Sequence, residues 1–173
     1  DRLVLDGAGA SASGTTTLHI TNLGGLGALT TGDGIEVISA LNGATTTAQT
    51  TRDAFRLAGE HVDAGAYEYR LYAADANGAG ESWFLRSSAV AGAATPAYRV
   101  EVPLFAALPE QLRLGNAVMV GNLHLRVGDG ATAERQTWAR IISAERRVSQ
   151  RGDVSPRSRG RLHGLQAGID LWA

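Results

Sequence analysis

The sequence predicts a mainly β chain with one helix past its midpoint. Three observations carry that prediction. Twenty-two glycines among 173 residues, with only 6% aromatics, describe small side chains and tight corners. Before residue 88 the apolar residues come in short runs with no 3.6-residue period. After residue 102 one helical stripe appears, and alternating apolar residues then close the chain.

The first runs are Leu3–Leu5, Leu18–Ile20, Ile35–Ile38, Phe55–Leu57, Tyr67–Tyr72 and Trp83–Leu85, starting 15, 17, 20, 12 and 16 residues apart. β-branched and aromatic residues concentrate in them, and Gly, Thr, Asn and Asp fill the intervals, so each run is read as a strand. Spacings near 20 with Gly-rich corners fit the coils of a parallel solenoid, and they equally fit a small antiparallel sandwich. The end of this region has its own character. Tyr67, Tyr69 and Leu71 alternate with Glu68, Arg70 and Tyr72, Asp75–Gly80 supplies turn chemistry, and Trp83, Phe84 and Leu85 return. That is a β-hairpin, and a solenoid needs such a cap because its last coil otherwise leaves an open edge.

Within this region, Thr30–Ile38, then Phe55–Leu57, then Gly65–Leu71, then Ser82–Ser87 occur in an order that resembles the autochaperone region of pertactin-like autotransporter passengers, the type V secretion proteins of Gram-negative bacteria. The resemblance covers about residues 1–88. It implies the end of a right-handed parallel β-helix over residues 1–90, closed by the hairpin of Tyr67, Tyr69, Leu71, Trp83, Phe84 and Leu85. Trp83 is expected to be its largest buried contact.

Residues 91–96, Ala-Gly-Ala-Ala-Thr-Pro, mark the boundary, and 91–104 are expected as a linker. The charge changes sign there: −5 over residues 1–95 and +4 over 96–173. Leu108, Leu112, Met119, Leu123 and Val127 then make a narrow apolar stripe on a helix expected over 105–129, stopped by Gly128-Asp129-Gly130. By its pattern alone this is a surface helix. The resemblance continues through Leu123–Asp129 and implies the helix that lies in the translocator pore. In relatives two consecutive Asn cleave the chain there; here Gly121 precedes Asn122, so no cleavage is expected and no catalytic residue is assigned.

From His163, the residues Leu165, Ala167, Ile169 and Leu171 alternate with Gly164, Gln166, Gly168 and Asp170, and Trp172 closes the run. Lipid-out, lumen-in alternation ending in an interfacial aromatic is the signature of an outer-membrane strand, although a half-buried soluble strand alternates too. Thr137–Ile142 is a poorer strand of the same type. Both resemble the first strands of the autotransporter barrel, so residues 130–173 are expected to start an incomplete β-barrel. Two strands cannot close, and lipid tolerates no open edge. The chain is therefore expected to be part of a longer protein, with 130–173 unstable in water by themselves.

Several chemistries are excluded or disfavoured. Without cysteine there is no disulfide, thiolate zinc site or Cys nucleophile. No run approaches the roughly 18 apolar residues of a membrane helix, and Asp-Arg-Leu-Val is no signal peptide. His19, His61, His124 and His163 have no metal spacing. Asp75, Asn77 and Glu81 fail the EF-hand spacing, and Gly24-Gly25-Leu26-Gly27 leads into no helix that could cradle phosphate. Arg140, Arg146, Arg147, Arg151, Arg157, Arg159 and Arg161 face only Glu145 and Asp153 in that interval; such a run suits nucleic acid or lipid headgroups, but a solvated loop with pore-facing positions is expected. Arg151-Gly152-Asp153 spells an integrin tripeptide in that loop and is read as chance.

The expectation is a non-enzymatic autochaperone and linker without metal or cofactor, at the outer membrane or cell surface. Its expected partners are its own upstream passenger and own barrel, with the barrel-assembly machinery, and no nucleic acid. The alternative is a surface adhesin that binds a host ligand; a polysaccharide hydrolase ranks third because Asp33 and Glu36 lack an evident carboxylate partner.

Overall fold

The computed structural model describes residues 1–88, 95–121 and 137–169. It is mainly β with one helix, in two compact units, Asp1–Arg99 and Val100–Ala173.

The first unit contains β1 (Leu3–Asp6), β2 (Thr16–Leu18), β3 (Ile35–Leu41), β4 (Phe55–Leu57), β5 (Val62–Ala64), β6 (Tyr67–Ala73) and β7 (Trp83–Arg86). All six sequence-predicted runs lie on or overlap strands, and β5 was not expected. β1 pairs in parallel with β3, Leu3 opposite Ile38, and β2 with β4, Thr16 opposite Phe55. A parallel bridge between Ser11 and Thr45 lies between them. The first two runs thus each pair with the next but one, roughly 34–39 residues later, so the repeat in space is about twice the spacing of runs near 20. The doubling has a simple cause. From β1 to β4 successive runs alternate between two sheets, and only every second one returns to the same sheet.

The second half of the unit turns antiparallel. β7 pairs with β3 and β6 with β7, giving a five-stranded order β1-β3-β7-β6-β5. A bulge between Glu36 and Ile38 shifts the register. Such an extra residue lets neighbouring side chains aim at one core, and Val37 and Ile38 both pack there. The core lies between the sheets: Ile38, Ala48, Ala54, Phe55 and Trp83, joined by Leu57, Tyr69 and Leu85. Residues 96–98, expected in the linker, bridge back onto this unit, Pro96 to Ser88 and Tyr98 to Tyr67.

The second unit holds α1 (Val102–Val120) and two antiparallel strands, β8 (Thr137–Ser149) and β9 (Arg157–Ile169). The helix begins three residues before its expected start and its described part ends at Gly121, with φ 40°. Pro103 sits in its first turn, where a missing N–H costs nothing. Leu123, Val127, Leu171 and Trp172 lie outside the described residues. The strands are longer than predicted, 13 residues each, so most of the expected arginine loop is strand.

Candidate functional site

The hairpin β6–β7 covers one edge of β3, and the geometry of that closure is set by a few side chains. Trp83 is 3% exposed, and its ring meets Phe55 edge-on at 5.4 Å. An edge-to-face pair places the positive rim of one ring against the negative face of the other. Trp83 Nε1 donates to Thr46 Oγ1 at 2.8 Å, so burial leaves no unpaired polar atom on the indole. Glu81 then organises the facing loop, its carboxylate accepting from the N–H groups of Thr46 at 2.7 Å and Ala48 at 3.1 Å. Sequence reading had considered Glu81 only as a calcium ligand. Its role is to satisfy backbone donors, and nothing but the fold brings it to them.

Of the other expected cap residues, Tyr69 and Leu85 are buried, while Tyr67, Leu71 and Phe84 are half-buried. Tyr69 hydroxyl bridges the chain at Ala28, accepting from its N–H at 2.7 Å and donating to its carbonyl at 2.6 Å. Tyr67 stacks on Tyr98 with ring centroids 5.5 Å apart. Ser87 continues this seam, accepting from Thr30 N–H at 2.8 Å and donating to Ala28 carbonyl at 2.9 Å. The segment 28–30 is therefore laced to the hairpin by side chains where no strand pairing exists.

Arg86 was missed altogether. It is 2% exposed, donates to the carbonyls of Asp33 at 2.8 Å and Ala74 at 2.7 Å, and lies over the rings of Tyr72 and Phe84. Burial pulls its pKa below the usual arginine value, opposed by the charges of Asp33, Tyr72 and Asp75. The Asp75–Gly80 turn uses its own carboxylate: Asp75 Oδ1 accepts from the N–H groups of Asn77 and Ala79, each at 2.8 Å. That is an Asx-type turn.

The glycine run Gly24-Gly25-Leu26-Gly27 also finds a structural use. A Cβ on Gly65 would meet Leu26 carbonyl oxygen at 1.9 Å, and one on Gly27 would meet Ala64 carbonyl oxygen at 2.2 Å. Two backbones cross here, which only glycine allows.

At the other side of the unit the situation reverses. β1 is the terminal strand of its sheet, and β2 likewise has one neighbour, β4. Among the described residues nothing pairs with their outer edges, and Leu3 and Val4 are exposed. The hairpin thus lies on one side of β3, while β1 and β2 end their sheets on the other, as β5 and β4 do at the opposite ends.

The second unit has a sidedness of its own. Alternate residues of β8 and β9 face α1, among them Arg140, Ile142, Arg146, Gly164 and Gln166. Arg140 and Gln166 both donate to Met119 carbonyl, at 2.6 and 2.9 Å, and Arg146 donates to Gln111 carbonyl at 2.8 Å. The first two satisfy a last-turn carbonyl, with a cation at the helix's negative end. Gly115 makes room for Arg146, whose Nη1 lies 2.5 Å from where a Cβ would be. The expected helical stripe is therefore displaced. Met119 is half-buried and Ala107 is buried, but Leu108 and Leu112 are exposed, because the face that meets the strands runs through Ala107, Gln111, Gly115 and Met119. That face mixes small, polar and apolar residues, and a hydrophobicity pattern cannot show it. The opposite strand face carries Ile141, Leu165 and Ile169, which are 86%, 71% and 61% exposed, with exposed Ala139 and Ala167 between them.

Residues 1–71 match the family Autochaperone Domain Type 1. Over 204 aligned residues, which take in 98% of this chain, it is 31% identical to the Adhesin BmaC autotransporter of Brucella suis biovar 1 (strain 1330). The chain spans 6% of that relative's length. Family and relative agree with the resemblance noted in the sequence: the chain belongs to the autotransporters, and its residues 1–71 are an autochaperone domain of type 1.

Proposed function

We propose that the first unit is a non-enzymatic folding template for passenger chain that precedes it. The observation that carries this reading is the change of pairing across the unit: β6–β7 adds antiparallel to one side of β3, while the parallel-paired β1 and β2 end their sheets on the other with backbone donors and acceptors left for a further parallel strand. A preformed edge removes the nucleation cost that a solenoid coil cannot meet alone, since each coil buries its apolar face only against a neighbour. Residues 3–18 already lie on 38–57 in this manner, supporting the end of a parallel β-helix as the architecture. Folding at the exit side also opposes backsliding, with no ATP consumed.

In the same reading the second unit is the linker helix and first hairpin of the translocator. Ile141, Leu165 and Ile169 point away from α1 while Arg140, Arg146 and Gln166 donate to its carbonyls, an outward apolar band that a soluble helix-on-sheet layer would bury. Thirteen-residue strands exceed the ~9–11 needed to cross a bilayer. The remaining partners are the rest of the barrel and the barrel-assembly machinery, and the location is the outer membrane and cell surface of a Gram-negative bacterium.

The test pairs two measurements on wild type and Trp83→Ala: the refolding rate of the first unit with upstream passenger attached, and protease-resistant passenger displayed on cells. Slower refolding and reduced display, with the barrel still inserted, is the expected result. Unchanged values in both would remove the templating role. The adhesin named among the relatives favours a second reading, in which exposed Thr-rich coils bind a host ligand; saturable binding by this chain alone would support it.

A further inference from the structure

The outward face of β8–β9 is not uniform along its length. Directly opposed residues of an antiparallel pair point to the same side, so the register lists the rungs of this face. Thr137 lies opposite Ile169, Ala139 opposite Ala167, and Ile141 opposite Leu165. Then come Ser143 with His163, Glu145 with Arg161, Arg147 with Arg159, and Ser149 with Arg157. All of these residues are exposed. An apolar band thus passes through one Ser–His rung into three charged rungs, ending at the turn 150–156. Among the described residues Glu145 is the one carboxylate on this face, and it is engaged by Arg159. Arg147 stands directly across from Arg159. Like charges directly opposite destabilise a strand pair, and Glu145 offsets only one of the four arginines on these rungs, so the net positive charge favours an anion. An open depression of about 390 Å³ lies among Arg147, Ser149, Arg157 and Arg159.

We propose that Arg147, Arg157, Arg159 and Arg161 form a phosphate-binding belt that docks on the anionic headgroups of a lipid surface. The occupant follows from continuity: the belt shares its face with the apolar band, so a surface that buries Ile141 and Leu165 brings its headgroup layer to the arginines. Guanidinium forks bind phosphate oxygens in pairs, which one rung with two facing arginines suits. The proposal rests on the membrane reading of the hairpin given above, and adds what the belt end recognises.

The full chain is to be co-sedimented with vesicles of phosphatidylcholine alone and of phosphatidylcholine mixed with phosphatidylglycerol. Wild type binds both and prefers the anionic vesicles, the preference falling as salt rises. Each arginine at an anionic surface is worth about fivefold in binding, so R147Q/R159Q should lower the preference about 25-fold. R147Q/R159Q must still bind the zwitterionic vesicles. R147K/R159K retains most of the preference, and R52Q/R56Q, which removes two exposed arginines of the other unit, retains all of it. Equal wild-type binding to both vesicles overturns the belt, as does an R147Q/R159Q variant that matches R52Q/R56Q or that loses both vesicle types. Oligonucleotide binding that depends on Arg147 and Arg159, with no vesicle preference, overturns it too. Failure of wild type to bind zwitterionic vesicles instead overturns the membrane reading of the hairpin.

Discussion

Trp83 and Arg86 stand at the two ends of β7 and do different work. Trp83 fills the core against Phe55 and Ile38, and its one polar atom is satisfied by Thr46. Trp83→Ala should cost about 3–5 kcal/mol, the range for emptying a buried Trp site, read as a lower urea midpoint at unchanged slope. Trp83→Phe should cost less, because it keeps most of the volume and loses the indole donor. Arg86 joins two carbonyls that would otherwise lack this charged donor. Arg86→Met should destabilise by about 3 kcal/mol, since hydrogen bonds to a charged group are worth roughly 1.5–3 kcal/mol each and part of the area is kept. A variant within experimental error of wild type would show that water replaces the guanidinium. The aromatic residues announced themselves in the sequence by type and alternation. A single Arg after Leu85 carried no such signal, because only the fold encloses it.

At the scale of elements, the crossing of segment 26–27 with 64–65 is the tightest constraint in the first unit. Gly65 has φ 56° and no space for a Cβ against Leu26. Gly65→Ala should therefore cost more than about 2 kcal/mol, beyond the ordinary helix- or turn-propensity change. Gly78→Ala, at φ 81° with open space around it, should cost less, only the backbone strain. Comparing the two midpoints separates steric closure from conformation alone. Strand β5, which forms one arm of that crossing, was absent from the sequence reading because Val62-Asp63-Ala64 is too short to show alternation. Its existence depends on β6, whose Tyr67 and Tyr69 pair with Ala64 and Val62.

For the whole molecule, the two units should differ in behaviour in water. The first has its own two-sheet core, whereas β8 and β9 form a two-stranded sheet with a largely exposed apolar face. A lone hairpin of this kind is at best marginally stable in water. Limited proteolysis in buffer should leave a resistant fragment of about residues 1–99 and degrade the C-terminal unit, and vesicles or detergent should protect β8 and β9. Survival of the C-terminal unit in buffer alone would contradict this division of stability.

Period and composition were enough to place six strands, the hairpin turn at Asp75–Gly80 and the existence of a helix, because those features depend on residues close together in the chain. The motif order was enough for the autotransporter relationship. Three things were decided only in three dimensions. Partnership among the first four strands skips one run, since two sheets share that part of the chain alternately. The helix turns Ala107, Gln111, Gly115 and Met119 to the strands and leaves Leu108 and Leu112 outside, because the strand face it meets carries Arg140, Arg146 and Gln166, which need its carbonyls. Arg147 meets Arg159 across a rung because the turn 150–156 sets which residues oppose, whereas the alternation alone specifies only which face each one takes. Local chemistry writes the elements; the pairing of groups far apart in sequence determines which faces and edges they expose.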